Sequence, residues 1–208
     1  CYYCKIRGDF GTIFNRSMND GESFPWTLLT VPEIMKWCPV QPLFGIIKKN
    51  IYIGNLKKKR LERLNKVRIH TDVYCPKKLE HLEYLQWLEP IRMNSVKEVL
   101  PEYAASVIMA DQEHRGTGWV LRRIWESVAC GVPVLIHKDL HSGTYGFTNV
   151  SEYPWFSMDD DQIRKDFSVL CDNEIFRDKL VAEQRSVLRK IINDFDNNKV
   201  MEINKFLT

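Results

Sequence analysis

Arg123 and Glu126 stand three residues apart in RGTGWVLRRIWESVACGVPVLI, residues 115–136. On a helix that spacing puts both on one face. Gly116 and Gly118 open the segment, and glycine lets a backbone come close to a ligand. The N–H groups at a helix start attract anions. A guanidinium such as Arg122 or Arg123 can clamp a phosphate with two parallel bonds. A carboxylate one turn further on, Glu126, can accept from both hydroxyls of a ribose. Together these groups would bind a nucleoside diphosphate. The same pair also serves as a solvated salt bridge on an amphipathic helix, and spacing alone does not choose between the two.

Two further stretches carry chemistry. In YIGNLKKKRLER, residues 52–63, Gly54 and Asn55 form a tight turn before a basic helix. Lys57 and Arg60 lie one helical turn apart and can reach the same diphosphate, or can belong to a solvated basic face. In RGDFGTIFNRS, residues 7–17, Asp9 sits in a glycine-flanked loop. A carboxylate there can be a general base or simply a turn former.

The elements that must position these groups alternate. Strands are expected in NIYIGN, VRIHTDVYC, ASVIMAD and VPVLI, from their β-branched runs. Leu56, Leu61 and Leu64 mark a helix over 56–67, and Leu79, Leu82, Leu85 and Leu88 suggest another over 77–88. SVKEVLPEYA reads as a capping box with Ser95 as cap and Glu98 at the third helical position. SMDDDQIRKDFSVL is expected to start a helix at Ser157, and residues 173–195 form a long terminal helix with Leu180, Val187, Leu188, Ile191, Ile192 and Phe195 on its apolar side. Alternating strands and helices predict an α/β fold, a Rossmann-like parallel sheet with helices on both faces, over residues 43–208. Residues 1–42 read as the tail of something else, a strand end and loop closed by the proline-marked linker CPVQPLFG.

Composition excludes little. The chain has 208 residues, 44% hydrophobic and 27% charged, and a net charge of +3, which allows a nucleic-acid partner without demanding one. No apolar run reaches the roughly 18 residues of a membrane span, so no membrane partner is expected. The start CYYCKIRGDF does not read as a signal peptide, and its first residue is not Met, so a processed chain or a fragment is expected. Cys1 and Cys4 form the one C-x-x-C, and His137 and His141 follow a strand; neither makes a full zinc set, so reduced thiols are expected and no metal-ligating residues are assigned.

The stretch 104–136, with ASVIMAD and RRIWESVACGVPVLI, and the helices after it resemble the carboxyl-terminal domain of GT-B glycosyltransferases, most of all the DNA-glucosylating members from T-even bacteriophages. The likeness runs from about residue 50 to the end. It implies an inverting transferase that moves a sugar, glucose first, from UDP-glucose or another UDP-sugar to hydroxymethylated bases such as 5-hydroxymethylcytosine in double-stranded DNA. The implied place is the cytoplasm of a phage-infected bacterial host.

The resemblance also assigns residues. IRMNSV, residues 91–96, matches the uracil-holding segment, which points to Ile91 and Met93. Arg123 matches the diphosphate-binding arginine and Glu126 the ribose-binding glutamate. Gly54 and Asn55 match the turn beneath the phosphates. Lys57 and Arg60 stand near two family arginines, in a shorter loop with lysine replacing one of them. Asp9 matches the catalytic aspartate, with Phe14 and Ser17 in register after it. A divalent Mg or Mn ion at the leaving diphosphate stays open. The family places most of an amino-terminal domain before that aspartate. A fragment, a partner chain carrying the missing domain, or a reduced descendant are the alternatives here. A GT-B enzyme with a glycan, protein or lipid acceptor, and a non-catalytic nucleotide-binding or interaction module, are the rival functions.

Overall fold

The computed structural model describes Ile34 and residues 45–79, 82–92, 95–108, 122–137, 156–157 and 159–207, with backbone alone for Arg122, His137, 156–157 and 191–207. Asp9, Met93, Gly116 and Gly118, the expected boundary near residue 42, and Cys1, Cys4 and His141 lie outside the described residues.

Six parallel strands make one sheet in the order β3-β2-β1-β4-β5-β6. They are β1 (Ile47–Ile53), β2 (Thr71–Tyr74), β3 (Leu85–Leu88), β4 (Tyr103–Ile108), β5 (Val134–His137) and β6 (Phe156–Ser157). The helices are α1 (Lys58–Val67), α2 (Val96–Val99, running into a 3-10 turn Leu100–Glu102), α3 (Arg122–Ala129), α4 (Asp160–Asp172) and α5 (Glu174–Leu207). Parallel strands need crossovers and are covered on both faces. Accordingly, all six residues of β4 are buried, and its YAASVI run, apolar but for Ser106, does not alternate.

The alternation of β1 divides the core in two. Tyr52 faces Leu61, Leu64 and Val67 of α1 and Ile163, Phe167 and Leu170 of α4, with Val73, Ala105, Val107 and Leu135 beneath them. Ile51 faces the other way, toward Val96 and Leu100 and toward Cys130 and Val132 after α3. So α1, which follows β1, and α3, which follows the neighbouring β4, lie on opposite faces. In an open parallel sheet that reversal leaves a crevice at the carboxyl ends of the two strands, where ligands bind.

Two buried polar groups fix this arrangement. The β1–β4 register slips by one residue between Ile47 and Asn50, and the fully buried Asn50 amide fills the irregularity. Its oxygen accepts from the Val107 N–H at 2.7 Å and its nitrogen donates to the Thr71 hydroxyl at 3.1 Å. Two strands further along the sheet, the buried Gln184 of α5 donates to the Val134 carbonyl at 2.7 Å and accepts from its N–H at 2.9 Å. One side chain thereby ties the long helix to the start of β5 and satisfies groups that are costly to bury unpaired.

Three expectations are corrected. The stretch 77–88 ends in strand β3, not in a helix: Leu85–Leu88 pairs with Thr71–Tyr74 along the open edge of β2. Leu79 is exposed while Leu85 is buried, so the leucines do not share one face. Tyr84 and Trp87 suit a half-buried strand. Ser95 forms no capping box, because its backbone is already helical and its side chain caps nothing. Asp159, not Ser157, caps α4, since Ser157 is drawn into β6 opposite His137.

Candidate functional site

The turn between β1 and α1 is held from several sides. Gly54 has φ +128°, a conformation that side chains rarely adopt. Its N–H donates to the Tyr74 carbonyl at 3.0 Å, which fastens the turn to the end of β2. The Tyr52 hydroxyl donates to the Asn55 carbonyl at 3.0 Å. Arg60 reaches back from α1, and its Nη1 donates to the Tyr52 hydroxyl at 3.1 Å and to the same carbonyl at 3.3 Å. Arg60 therefore braces the turn with one guanidinium nitrogen, a role that sequence spacing did not suggest. Tyr52 was missed altogether; its signal is the alternation of β1, which points it toward α1.

The first turn of α1 carries no acidic residue, and its cap residue Lys57 makes no side-chain cap bond. Lys57, Lys58 and Lys59 are exposed there. The first N–H groups of any helix lack partners within it, and the helix dipole is positive at that end. Cations at this end repel the dipole, so the arrangement favours an anion from outside the helix.

On the other face, α3 is buried from Ile124 to Ala129. Within it Arg123 Nη1 lies 2.6 Å from Glu126 Oε2. The Glu126 side chain is 1% exposed and that of Arg123 is 22% exposed, so this is no solvated surface pair. Removing one partner of a buried pair costs about 3–5 kcal/mol. One helical turn on, burial first and then the Glu126 carboxylate push the Cys130 thiol up to about 12, against the opposing charges of Arg123, Arg185 and Lys97. The thiol is thus neutral at ordinary pH and no nucleophile.

All six strands are parallel, so the ends of β1, β3 and β4 lie at one edge. Gly54, Asn55 and the start of α1 follow β1; Ile91 follows β3 and packs half-buried against the Ile51 and Val96 cluster; α3 follows β4. The backbone of Arg122 begins α3. Among the described residues no three His, Cys, Asp or Glu side chains converge as a cation site. Cys75, Cys130 and Cys171 are free thiols. No described helix is long and apolar enough to cross a membrane.

No family model matches the sequence, and no curated protein sequence matches it. Solved structures do. The DNA modifying enzyme β-glucosyltransferase, studied with and without uridine diphosphoglucose, superposes with a TM-score of 0.64 at 15% identity, over 83% of this chain and 54% of that one. T4 phage BGT in complex with UDP and Mn2+ gives 0.60 at 16% identity, over 85% of this chain and 54% of that one. The carboxyl-terminal domain of a group 1 glycosyl transferase, LpcC from Francisella tularensis, gives 0.52 at 14% identity, over 76% of this chain and 96% of that domain. The chain spans about half the length of the phage enzyme. At these identities the likeness is one of fold: the carboxyl-terminal half of a GT-B glycosyltransferase, a Rossmann-like parallel sheet with helices on both faces.

Proposed function

We propose that the chain binds a UDP-sugar at the carboxyl edge of its sheet and belongs to an inverting glycosyltransferase. One observation carries the reading: a carboxylate that is 1% exposed, held by a partly exposed arginine, sits on the helix after β4, and the neighbouring strand β1 leads into a helix start that has cations and no acid of its own. Arg123 compensates Glu126. When a diphosphate takes the guanidinium, Glu126 turns to the ribose hydroxyls, so each charge keeps a partner. Lys57 and the N–H groups of Lys58 and Lys59 at the start of α1 would offset the charge growing on the leaving diphosphate. Gly54 and Asn55 would form the floor beneath it, the backbone at Ile91 and Met93 would hold the uracil, Gly116 and Gly118 would let the backbone approach the phosphates, and Arg122 is the other candidate for the clamp.

The acceptor we propose is the hydroxymethyl group of a modified base in duplex DNA, by analogy with the phage enzyme. Asp9 takes the hydroxyl proton as the oxygen attacks the anomeric carbon. The bond from that carbon to the diphosphate oxygen breaks on the opposite side, and UDP leaves with the electron pair. Glycosyl transfer to another acceptor is the second reading, since the carboxyl-terminal domain of a group 1 glycosyl transferase is covered almost whole.

Thermal unfolding with UDP tests the donor site. Ligand at 100 times its Kd should stabilise the fold by about 2.7 kcal/mol. The pair Arg123→Met with Glu126→Leu replaces the ion pair by apolar groups of similar size, which buried pairs commonly tolerate. That variant should fold and show no UDP shift. A wild-type protein indifferent to UDP ends the reading. A mass gain on hydroxymethylated DNA, tried with several UDP-sugars, then identifies sugar and acceptor.

A further inference from the structure

The chain's positive charge is not spread evenly. Residues 57–70 hold seven Lys and Arg against one Glu, a net +6 in a chain whose total is +3, so the remainder is net negative. On α1, Leu61, Leu64 and Val67 take the buried side. Lys58, Lys59, Glu62, Asn65 and Lys66 are all exposed and share the outward side. Arg68 continues the row beyond the helix and is exposed as well.

The far end of this row is a built feature. Arg68 closes α1 in the left-handed region, φ 51° and ψ 42°, with its N–H on the Leu64 carbonyl. Glycine is the usual residue there, because a Cβ is disfavoured. An arginine at this position keeps a charge at a backbone cost. Beside it a groove of about 560 Å³ is lined by Asn65, Lys66, Arg68 and Arg164. Arg164 forms its wall: Nη1 donates to the Lys66 and Val67 carbonyls at 2.8 and 3.1 Å, and Nη2 pairs with Asp161.

We propose that the outward side of α1 and this groove are a docking track for the phosphate backbone of duplex nucleic acid. The track runs from the donor edge to the opposite edge of the sheet. At 1.5 Å per residue, Lys58 to Arg68 spans about 15 Å. Over that length one strand of B-DNA presents about four phosphates. Residues 58–68 contain no series of aromatic rings on which unpaired bases would stack, and Tyr84 reaches the row with its hydroxyl on Asn65 at 2.6 Å, which favours a duplex. Large exposed apolar side chains, Leu79, Val169, Ile175 and Phe176, lie on other elements, so the cationic row lacks the apolar partner that a membrane-surface helix uses. The track stands on its own charge pattern and not on the donor assignment.

The test is titration of the full chain with an unmodified 30-base-pair duplex between about 50 and 200 mM salt. The variant Lys66→Ala with Arg68→Gly removes two charges and relieves the left-handed backbone, so it should fold at least as well as wild type. Its slope of log affinity against log salt should flatten by about 1.8, at about 0.9 per phosphate contact. Glu62→Gln should bind more tightly than wild type, because Glu62 is the one opposing charge in the row. An unchanged slope in the double variant overturns the track. So does wild-type binding to phosphatidylserine–phosphatidylcholine vesicles with none to the duplex. The UDP thermal shift of the double variant should equal that of wild type; its loss in both proteins would sink the donor site alone.

Discussion

Helices α1 and α4 pack side by side on the same face of the sheet, yet they begin in opposite ways. Helix α4 is satisfied from within: the Asp159 carboxylate accepts from the Gln162 N–H at 2.8 Å, and Asp160 and Asp161 fill its first turn. Helix α1 has neither cap nor acid and begins among lysines. Local stability would choose the first pattern at both places. Of these two helices the chain departs from it at α1, beside the crevice of the sheet, which contrasts a helix start built for folding with one that suits an anion.

The largest effect should come from the turn that delivers α1. Gly54→Ala would place a Cβ in open space, since nothing lies within 4 Å of it. The whole penalty is then the backbone at φ +128°, about 2 kcal/mol within the range for such strain. Urea unfolding should show that loss, and UDP should bind more weakly because the turn relaxes away from the β2 carbonyl. An unaltered UDP affinity would make the turn mere connection and weaken the contrast with α4.

Next in size is the cap of α4. Asp159→Ala removes an acceptor from the Gln162 N–H and should cost about 1 kcal/mol. In a chain of this size that is roughly 2–4 °C in Tm. The UDP shift should stay unchanged, which marks α4 as scaffold. Should the shift fall with Tm, the two helix starts would no longer be separable.

Much of this frame was legible in the sequence. The strands β1, β2, β4 and β5 and helices α1 and α4 follow from runs whose hydrophobic period agrees with their length, such as Leu61 and Leu64 on α1, while α5, expected over residues 173–195, runs on to Leu207. The errors arose where a tertiary partner decided the outcome. Residues 77–88 have leucines at helical spacing, but the unpaired edge of β2 claimed the last four as a strand. Ser157 is a good cap residue, but pairing with His137 removed it from the helix start. The site divides in the same way. That Arg123 and Glu126 share a face is a local property and could be read directly; that the carboxylate is 1% exposed depends on what packs around α3. Arg60 showed its charge but not its direction, because its partners Tyr52 and Asn55 are brought to it by the turn. The Asn50 bridge left no sequence signal at all, since a register slip between β1 and β4 creates the place that it fills.

The smallest expected effect is the most discriminating. Lys57→Asp gives α1 the kind of start that α4 has. An aspartate at this cap position can accept from the helix N–H groups and suits the dipole, so stability should rise by a few tenths of a kcal/mol, up to about 1. If the open start serves only folding, the change is a plain improvement. If it serves a diphosphate, the new carboxylate occupies the N–H groups that the ligand needs and repels its charge as well. The UDP shift should then shrink while Tm without ligand rises. Opposite signs in two measurements on one variant cannot come from general destabilisation, and a variant that gains in both would return α1 to the class of α4.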